Sequence, residues 1–357
     1  MISDSQTTMT TDCKPLLNDP LSNSSRFLAL AFVLIVPFLL LGCPSTTSKP
    51  GDGTSSPSPA SPAKSDFDGD RAFEQVRKQV EFGPRPAGSA ELEKTRNYII
   101  DQLKSYGLKV TTDEFHAITP LGDKKMVNVT AELPGESNDV IIISSHYDTK
   151  YFKDFKFVGA NDGGSSTGAL MEIARVMAAN KQKGKMTYQF VFFDGEEAFC
   201  LDWDECHNPN PADPKTPLPD HTYGSRRHVA QLIDKNELKR VRALILLDMM
   251  GYKNLRLGRD DLSTTWLIDT VWQTAKQLGY GNVFVDAREG VGEDDHAACL
   301  HAGIDAMDII QLSSYPYWHT KEDTLDKISA RSLKIVGDAV IVSLPKIEER
   351  LASKSPK

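Results

Sequence analysis

Positive charge is not in excess in this chain: 41 lysines and arginines stand against 49 aspartates and glutamates, a net of -8. A general nucleic-acid binder needs a basic face for the phosphate backbone, so nucleic acid is excluded as a partner in favour of a small molecule or peptide. Cysteine is scarce, five in 357 residues, and at 40% hydrophobic and 25% charged the chain can bury a full core without disulfide or metal support. No internal repeat is present. Long apolar runs are missing except for Phe27 to Leu41, which has about signal-peptide length and is too short for comfortable membrane spanning. One catalytic domain with appendages is the expectation.

The N-terminal run follows Arg26 and leads into Leu40-Leu41-Gly42-Cys43, a small residue before a cysteine that resembles a bacterial lipobox. On that reading residues 1–43 are a lipoprotein signal and Cys43 is lipidated, placing the protein outside the inner compartment on a membrane; an uncleaved signal anchor is the alternative. The segment before Arg26 is long and weakly basic for a signal, and Met9 offers a second start. Residues 44–66 are rich in Ser, Pro, Thr, Gly and Ala, cannot offset the entropy of folding, and read as a disordered tether. The catalytic domain is then 67–357. Export permits disulfides; Cys200 and Cys206 are close enough to close a small loop, but spacing alone leaves that bridge open. Cys299, in an apolar stretch, reads as a buried free thiol.

Apolar residues recur at helical spacing over Asp70–Phe82 and Ala90–Tyr106, with Pro84, Pro86 and Gly88 breaking the chain between them. Ser89 is placed to N-cap the second helix, with Glu91 and Glu93 at the positive end of its dipole; Leu92 stands where a capping box needs Glu or Gln. Strand-length apolar runs follow at Met126–Leu133, Val140–Ser145, Tyr188–Phe193, Val241–Leu247 and Ala306–Ile310. Helical patterns at Ser166–Ala179, Ser225–Lys235, Thr264–Leu278 and His296–Ala302 separate most of them. This alternation predicts an α/β fold, a mainly parallel central sheet with helices on both faces. Residues Leu201 to His221 form a polar, Pro-rich insertion expected over or beside the site.

Ligands in such sheets bind beyond the carboxyl ends of the strands. His146 and Asp148, Glu196 and Glu197, and Asp248 each follow a strand end, and His319 lies in the loop after Ile310. Adjacent residues leaving a strand point in different directions, so Glu197 can ligate a metal while Glu196 faces a substrate. Each has a plainer explanation in isolation. A Glu-Glu pair is commonly solvated surface, Asp162 in Asn-Asp-Gly-Gly can shape a turn or cap the helix starting near Ser165, and His319 can be an ordinary loop histidine. Their convergence at one sheet edge points to a zinc centre.

The succession His146-Tyr147-Asp148, Gly159-Ala160-Asn161-Asp162, Asp194-Gly195-Glu196-Glu197, Leu247-Asp248 and Trp318-His319-Thr320 resembles the zinc-dependent aminopeptidase superfamily typified by bacterial leucyl aminopeptidase. Asp-Gly-Glu-Glu-Ala-Phe with nearby Trp203, Tyr223-Gly224-Ser225-Arg226 and Glu293-Asp294-Asp295-His296 are similar to its glutaminyl cyclase branch, from about Phe73 to the C-terminus. The resemblance implies a single domain of the zinc exopeptidase type, with one zinc on Asp162, Glu197 and His319 and a fourth position open. It implies Glu196 as acid/base, Asp248 and Asp294 against substrate or intermediate, and Trp203 and Trp318 as pocket walls. The substrates it implies are peptides or proteins with a free N-terminal glutamine. Asp294 can instead be the N-cap before His296, either Trp can be plain core, and Tyr223–Arg226 reads as a turn into a helix. Trp203 sits one residue further from the Glu-Glu pair than is usual in cyclases, and Ala297-Ala298-Cys299 replaces a bulkier, Pro-containing segment.

A two-zinc aminopeptidase is the rival, with His146 and Asp248 on a second metal and Asp162 bridging. Against it, aminopeptidases of the superfamily usually have Tyr-His-Thr at Trp318-His319-Thr320 and a small residue at Asp294. A surface lipoprotein that only binds peptides is a third reading, disfavoured because no ligand or acid/base position is lost.

Overall fold

The computed structural model describes residues 63–180, 184–203, 205–210 and 215–354. The expected lipid site at Cys43 and nearly all of the tether lie outside them. Helices α1 (Gly69–Phe82) and α2 (Ala90–Ser105) come first, then strands β1 (Lys109–Thr119), β2 (Gly122–Leu133) and β3 (Val140–His146). After α3 (Gly164–Ala179) and β4 (Thr187–Phe193), the insertion forms the two-residue pair β5 (His207–Asn208) and β6 (Leu218–Pro219). The chain continues through α4 (Tyr223–Asp234), β7 (Val241–Leu247), β8 (Leu257–Asp260), α5 (Thr265–Gln277), β9 (Phe284–Glu289), α6 (Asp295–His301), β10 (Asp305–Ile309) and α7 (Ala330–Lys354).

Six strands form one sheet in the order β1-β2-β4-β3-β7-β10. The pairs β4/β3, β3/β7 and β7/β10 are parallel, while the β1/β2 hairpin and the β2/β4 pair are antiparallel. All seven residues of β3 are buried, as its unbroken apolar run predicts for a central strand covered on both faces. Alternate residues feed two cores: Ile141, Ile143, Ala243, Ile245, Phe190 and Phe192 join α1, α2, α3, α5 and α7, whereas Val140, Ile142, Val191 and Leu244 meet Val229 and Leu232 of α4 and Cys299 of α6. Helices therefore lie on both faces, as expected.

Ser89 does cap α2, accepting from Leu92 N at 3.1 Å. The edge strand β1 and the helix α7 add to the expected elements. The polar, half-exposed alternation of β1 carries a weak apolar signal, and Pro345 interrupts an otherwise regular buried stripe in α7. One boundary is corrected. Ser65, assigned by composition to the tether, donates through its N and Oγ to Asp338 Oδ1 on α7, and Phe67 is buried against Gly337, so folded structure begins at least two residues before 67. Among the described residues no helix is long and apolar enough to cross a membrane.

Candidate metal centre and active site

Four parallel strands deliver their carboxyl ends to one edge. β3 ends in His146, β4 leads into Asp194-Gly195-Glu196-Glu197, and β7 leads into Asp248, while the loop before α3 brings Asp162 and the loop after β10 brings His319. The His319 Nε2 atom lies 3.4 Å from Asp162 Oδ2 and 3.2 Å from Glu197 Oε2. Donor atoms around a tetrahedral zinc, each at about 2.0–2.2 Å, are separated by about 3.3 Å, so these spacings fit a common ion. Asp162 Oδ2 and both Glu197 carboxylate oxygens are buried without a hydrogen-bond donor, which ion ligands tolerate and ordinary buried carboxylates do not. A second set shares Asp162: His146 Nε2 is 3.3 Å from Asp162 Oδ1 and 3.1 Å from Asp248 Oδ1. Both triplets keep their ligand atoms within 4.8 Å of one another.

The backbone explains this geometry. Gly163, not Asp162, is the residue before α3, so the cap reading of Asp162 is set aside, while residues 160–163 do form a turn that carries Asp162 into the site. Gly163 has φ +70°, and a Cβ there would lie 2.6 Å from Asp148 O and 3.0 Å from the His146 ring. Asp323 accepts from Asn161 N at 2.8 Å and Asp162 N at 3.0 Å, fixing the loop from beneath. Asp148 accepts from Glu196 N at 3.1 Å and Glu197 N at 3.3 Å, and Lys150 Nζ donates to Ala198 O at 2.8 Å. His319 sits in the left-handed region at φ +54°, its ring stacked on Trp318 at 4.2 Å and met edge-on by Phe152 and Phe157, both at 5.9 Å.

Beside the triplets a cavity of about 450 Å³ is lined by Glu196, Asp248, Asp294, Trp203 and Trp318. Burial pushes the Glu196 carboxyl well above the ordinary range; His146 opposes this, and Glu197, Asp294 and Asp295 reinforce it. Burial with the charge of Asp248 lifts Asp294 to about 7. Asp162 goes the other way: burial would raise it, but contacts with His146 and His319 hold it below the usual carboxylate range. Burial disfavours charge on His319, yet Glu197 and Asp162 outweigh it and raise the imidazole to about 9. Acids packed this closely oppose one another's ionisation, so they titrate as a coupled cluster.

The structure brings every sequence-predicted site residue to this edge. Asp294 is both pocket wall and N-cap, accepting from Asp295 N at the start of α6. Trp203 lies inside the ring closed by the Cys200–Cys206 disulfide, which the sequence left open, and stacks on His221 at 4.1 Å. Trp318 is 42% exposed, at the pocket mouth rather than in core. Cys299 is the buried free thiol expected. Asp148, Asp323 and Asp308 were given no role by the sequence. Asp308 is fully buried, its carboxyl pushed well up by burial with Asp294 adding; the available signal was an acid inside an apolar strand run.

Residues 128–344 match peptidase family M28. The chain belongs to that family. Among its relatives is the glutaminyl-peptide cyclotransferase of Dictyostelium discoideum, 26% identical over 315 residues that cover 73% of this chain and 82% of that protein. The solved glutaminyl cyclase of an Acidobacteriales bacterium is 36% identical with a TM-score of 0.72, covering 84% of this chain and all (100%) of that one. A zinc-dependent exopeptidase of Parabacteroides distasonis is also similar, at 27% identity and a TM-score of 0.71 over 79% of this chain and 99% of that one. This M28 protein therefore resembles glutaminyl cyclases, and its fold is the one expected from the spacing of strands and helices.

Proposed function

We propose that this M28 protein cyclises the N-terminal glutamine of peptides or proteins to pyroglutamate, releasing ammonia, with one zinc ion on Asp162, Glu197 and His319. The observation that carries the reading is the pocket beside the triplet, where Glu196, Asp248 and Asp294 converge between Trp203 and Trp318. Zinc supplies Lewis acidity toward the substrate's γ-carbonyl oxygen. Glu196, free of the first ligand set, takes a proton from the attacking α-amine and returns it to the departing nitrogen, so a C–N bond forms as the amide C–N bond breaks and no net proton is consumed. Its raised pKa suits a group that must both accept and donate near neutrality. Asp294 and Asp248 face the substrate, and a protonated Asp294 can donate a hydrogen bond to it. The two indoles keep the glutamine side chain folded back toward its own amine, which is catalysis by orientation.

The intact triplet His146, Asp162 and Asp248 supports a second reading, a two-zinc aminopeptidase. We also propose export and anchoring through a lipidated Cys43, tested by fatty-acid labelling that Cys43→Ser abolishes. The deciding experiment follows ammonia and free amino acid together from a glutamine-starting dipeptide with zinc present. Ammonia with loss of the primary amine, abolished by Glu196→Gln while zinc stays bound, establishes cyclisation. Release of the second amino acid without ammonia establishes the aminopeptidase and fills His146 and Asp248 with metal.

A further inference from the structure

Arg85 lies in the Gly-Pro-Arg-Pro turn between α1 and α2, a segment that contributes no side chain to the pocket. Its side chain is nevertheless fully buried, at 0% exposure. An arginine so placed normally faces a carboxylate. Here its guanidinium donates instead to three main-chain carbonyls: Nε to Tyr147 O at 3.1 Å, Nη1 to Val158 O at 2.6 Å and Nη2 to Gly159 O at 2.9 Å. Its backbone closes the same junction, Arg85 N donating to Thr149 Oγ1 at 3.0 Å and accepting at its carbonyl from Thr149 N at 3.2 Å.

These contacts tie two neighbouring loops together from their main chains. Residues 146–149 carry His146 and Asp148, and Asp148 in turn fixes the backbone of Glu196 and Glu197. Residues 158–162 carry Asp162, three positions beyond the Gly159 carbonyl that the guanidinium holds. Asp323 holds the far end of that loop through Asn161 N and Asp162 N. Removing the fork would leave one end of the Asp162 loop unpinned and take a donor from three carbonyls, those of Tyr147 and Gly159 buried and that of Val158 partly buried. The positive charge adds a long-range effect: Asp148, Asp162, Asp323 and Glu197 all interact with it, and although burial lowers its pKa to about 10 it stays charged at neutral pH.

We propose that Arg85 is a positioning residue for the metal centre, its planar fork setting the separation of the Asp162 loop from the loop that orients Glu197. This rests on the reading of Asp162, Glu197 and His319 as ligands. A lysine keeps the charge but cannot reach three diverging carbonyls at once, so charge and geometry separate experimentally.

The test measures the zinc dissociation constant of the full chain by competition with a chromophoric chelator, beside the melting temperature of the metal-free protein. Arg85→Lys is expected to weaken zinc binding about tenfold and Arg85→Met about 100-fold, the range found when groups that orient metal ligands are removed. Should Arg85→Met fail to fold, Arg85→Lys alone decides. A merely structural arginine would lower the melting temperature and leave zinc affinity at the parent value, and that result in Arg85→Lys overturns the proposal. A parent protein that binds no zinc overturns both this proposal and the ligand assignment, without turnover entering either measurement.

Discussion

Asp148→Asn isolates the idea that one buried carboxylate sets the two glutamates. Asp148 is fully buried, and its two oxygens accept from Glu196 N at 3.1 Å and Glu197 N at 3.3 Å. Asparagine has the same shape but a single acceptor oxygen, so its amide nitrogen must face one of those N–H donors. One charge-assisted bond is lost and one buried donor is left unpaired, a cost of about 2–3 kcal/mol. Part of that appears as lower stability; the rest appears as displacement of Glu196 or Glu197, and a displacement of about 1 Å at reacting groups costs about 100-fold in rate. The expected result is kcat/KM for ammonia release down by about 10- to 100-fold, with weaker zinc binding and a lower denaturant midpoint. The reasoning is refuted if the variant keeps kcat/KM and zinc affinity within threefold of the parent.

Replacing Cys200 and Cys206 by serine opens the ring that carries Trp203. A ring this small contributes about 2 kcal/mol of loop order, so KM should rise severalfold while kcat holds; an unchanged KM shows that stacking on His221 alone positions the indole. Asp194 supplies a pH test: burial, reinforced by Asp148, lifts its carboxyl to about 8, with the Val127 N–H and Tyr147 hydroxyl opposing. The folded state then binds one more proton than the unfolded chain between about pH 4 and its folded pKa, so this contribution to stability falls by up to about 1.4 kcal/mol per unit as pH rises. Asp194→Asn, shaped like the protonated acid, should flatten that slope in urea unfolding across the window; a slope equal to the parent's contradicts the assignment.

Strands β3, β4 and β7 were legible because buried parallel strands need unbroken apolar runs, and each run ends within a residue of the observed strand. The sheet edge was legible for the same reason: acids and histidines immediately after such runs must emerge at their carboxyl ends. β1 was not, because an edge strand with one wet face alternates polar and apolar residues and resembles loop. Asp148 was seen as a residue but not as a support, and Asp323 was not singled out at all, since accepting a backbone N–H leaves no pattern in side-chain spacing. Asp294 shows the limit most plainly: cap and pocket wall were weighed as alternatives, and the fold makes it both.

By itself, then, the sequence determined the layered α/β architecture, the order of the site residues and the division of labour open to Glu196 and Glu197, because these follow from local periodicity and from where polar residues interrupt it. Only the tertiary structure decided that Asp162 faces His146 and His319 rather than capping α3, that Trp203 is held in a disulfide ring, and that Arg85 reaches beneath the ligand loops. Apart from the disulfide, whose cysteines are 6 residues apart and whose closure needed the local backbone path, those outcomes depend on contacts between segments more than 15 residues apart or on the hand of a single backbone dihedral, as at Gly163 with its φ of +70°. Neither is encoded in the spacing of residue types along the chain.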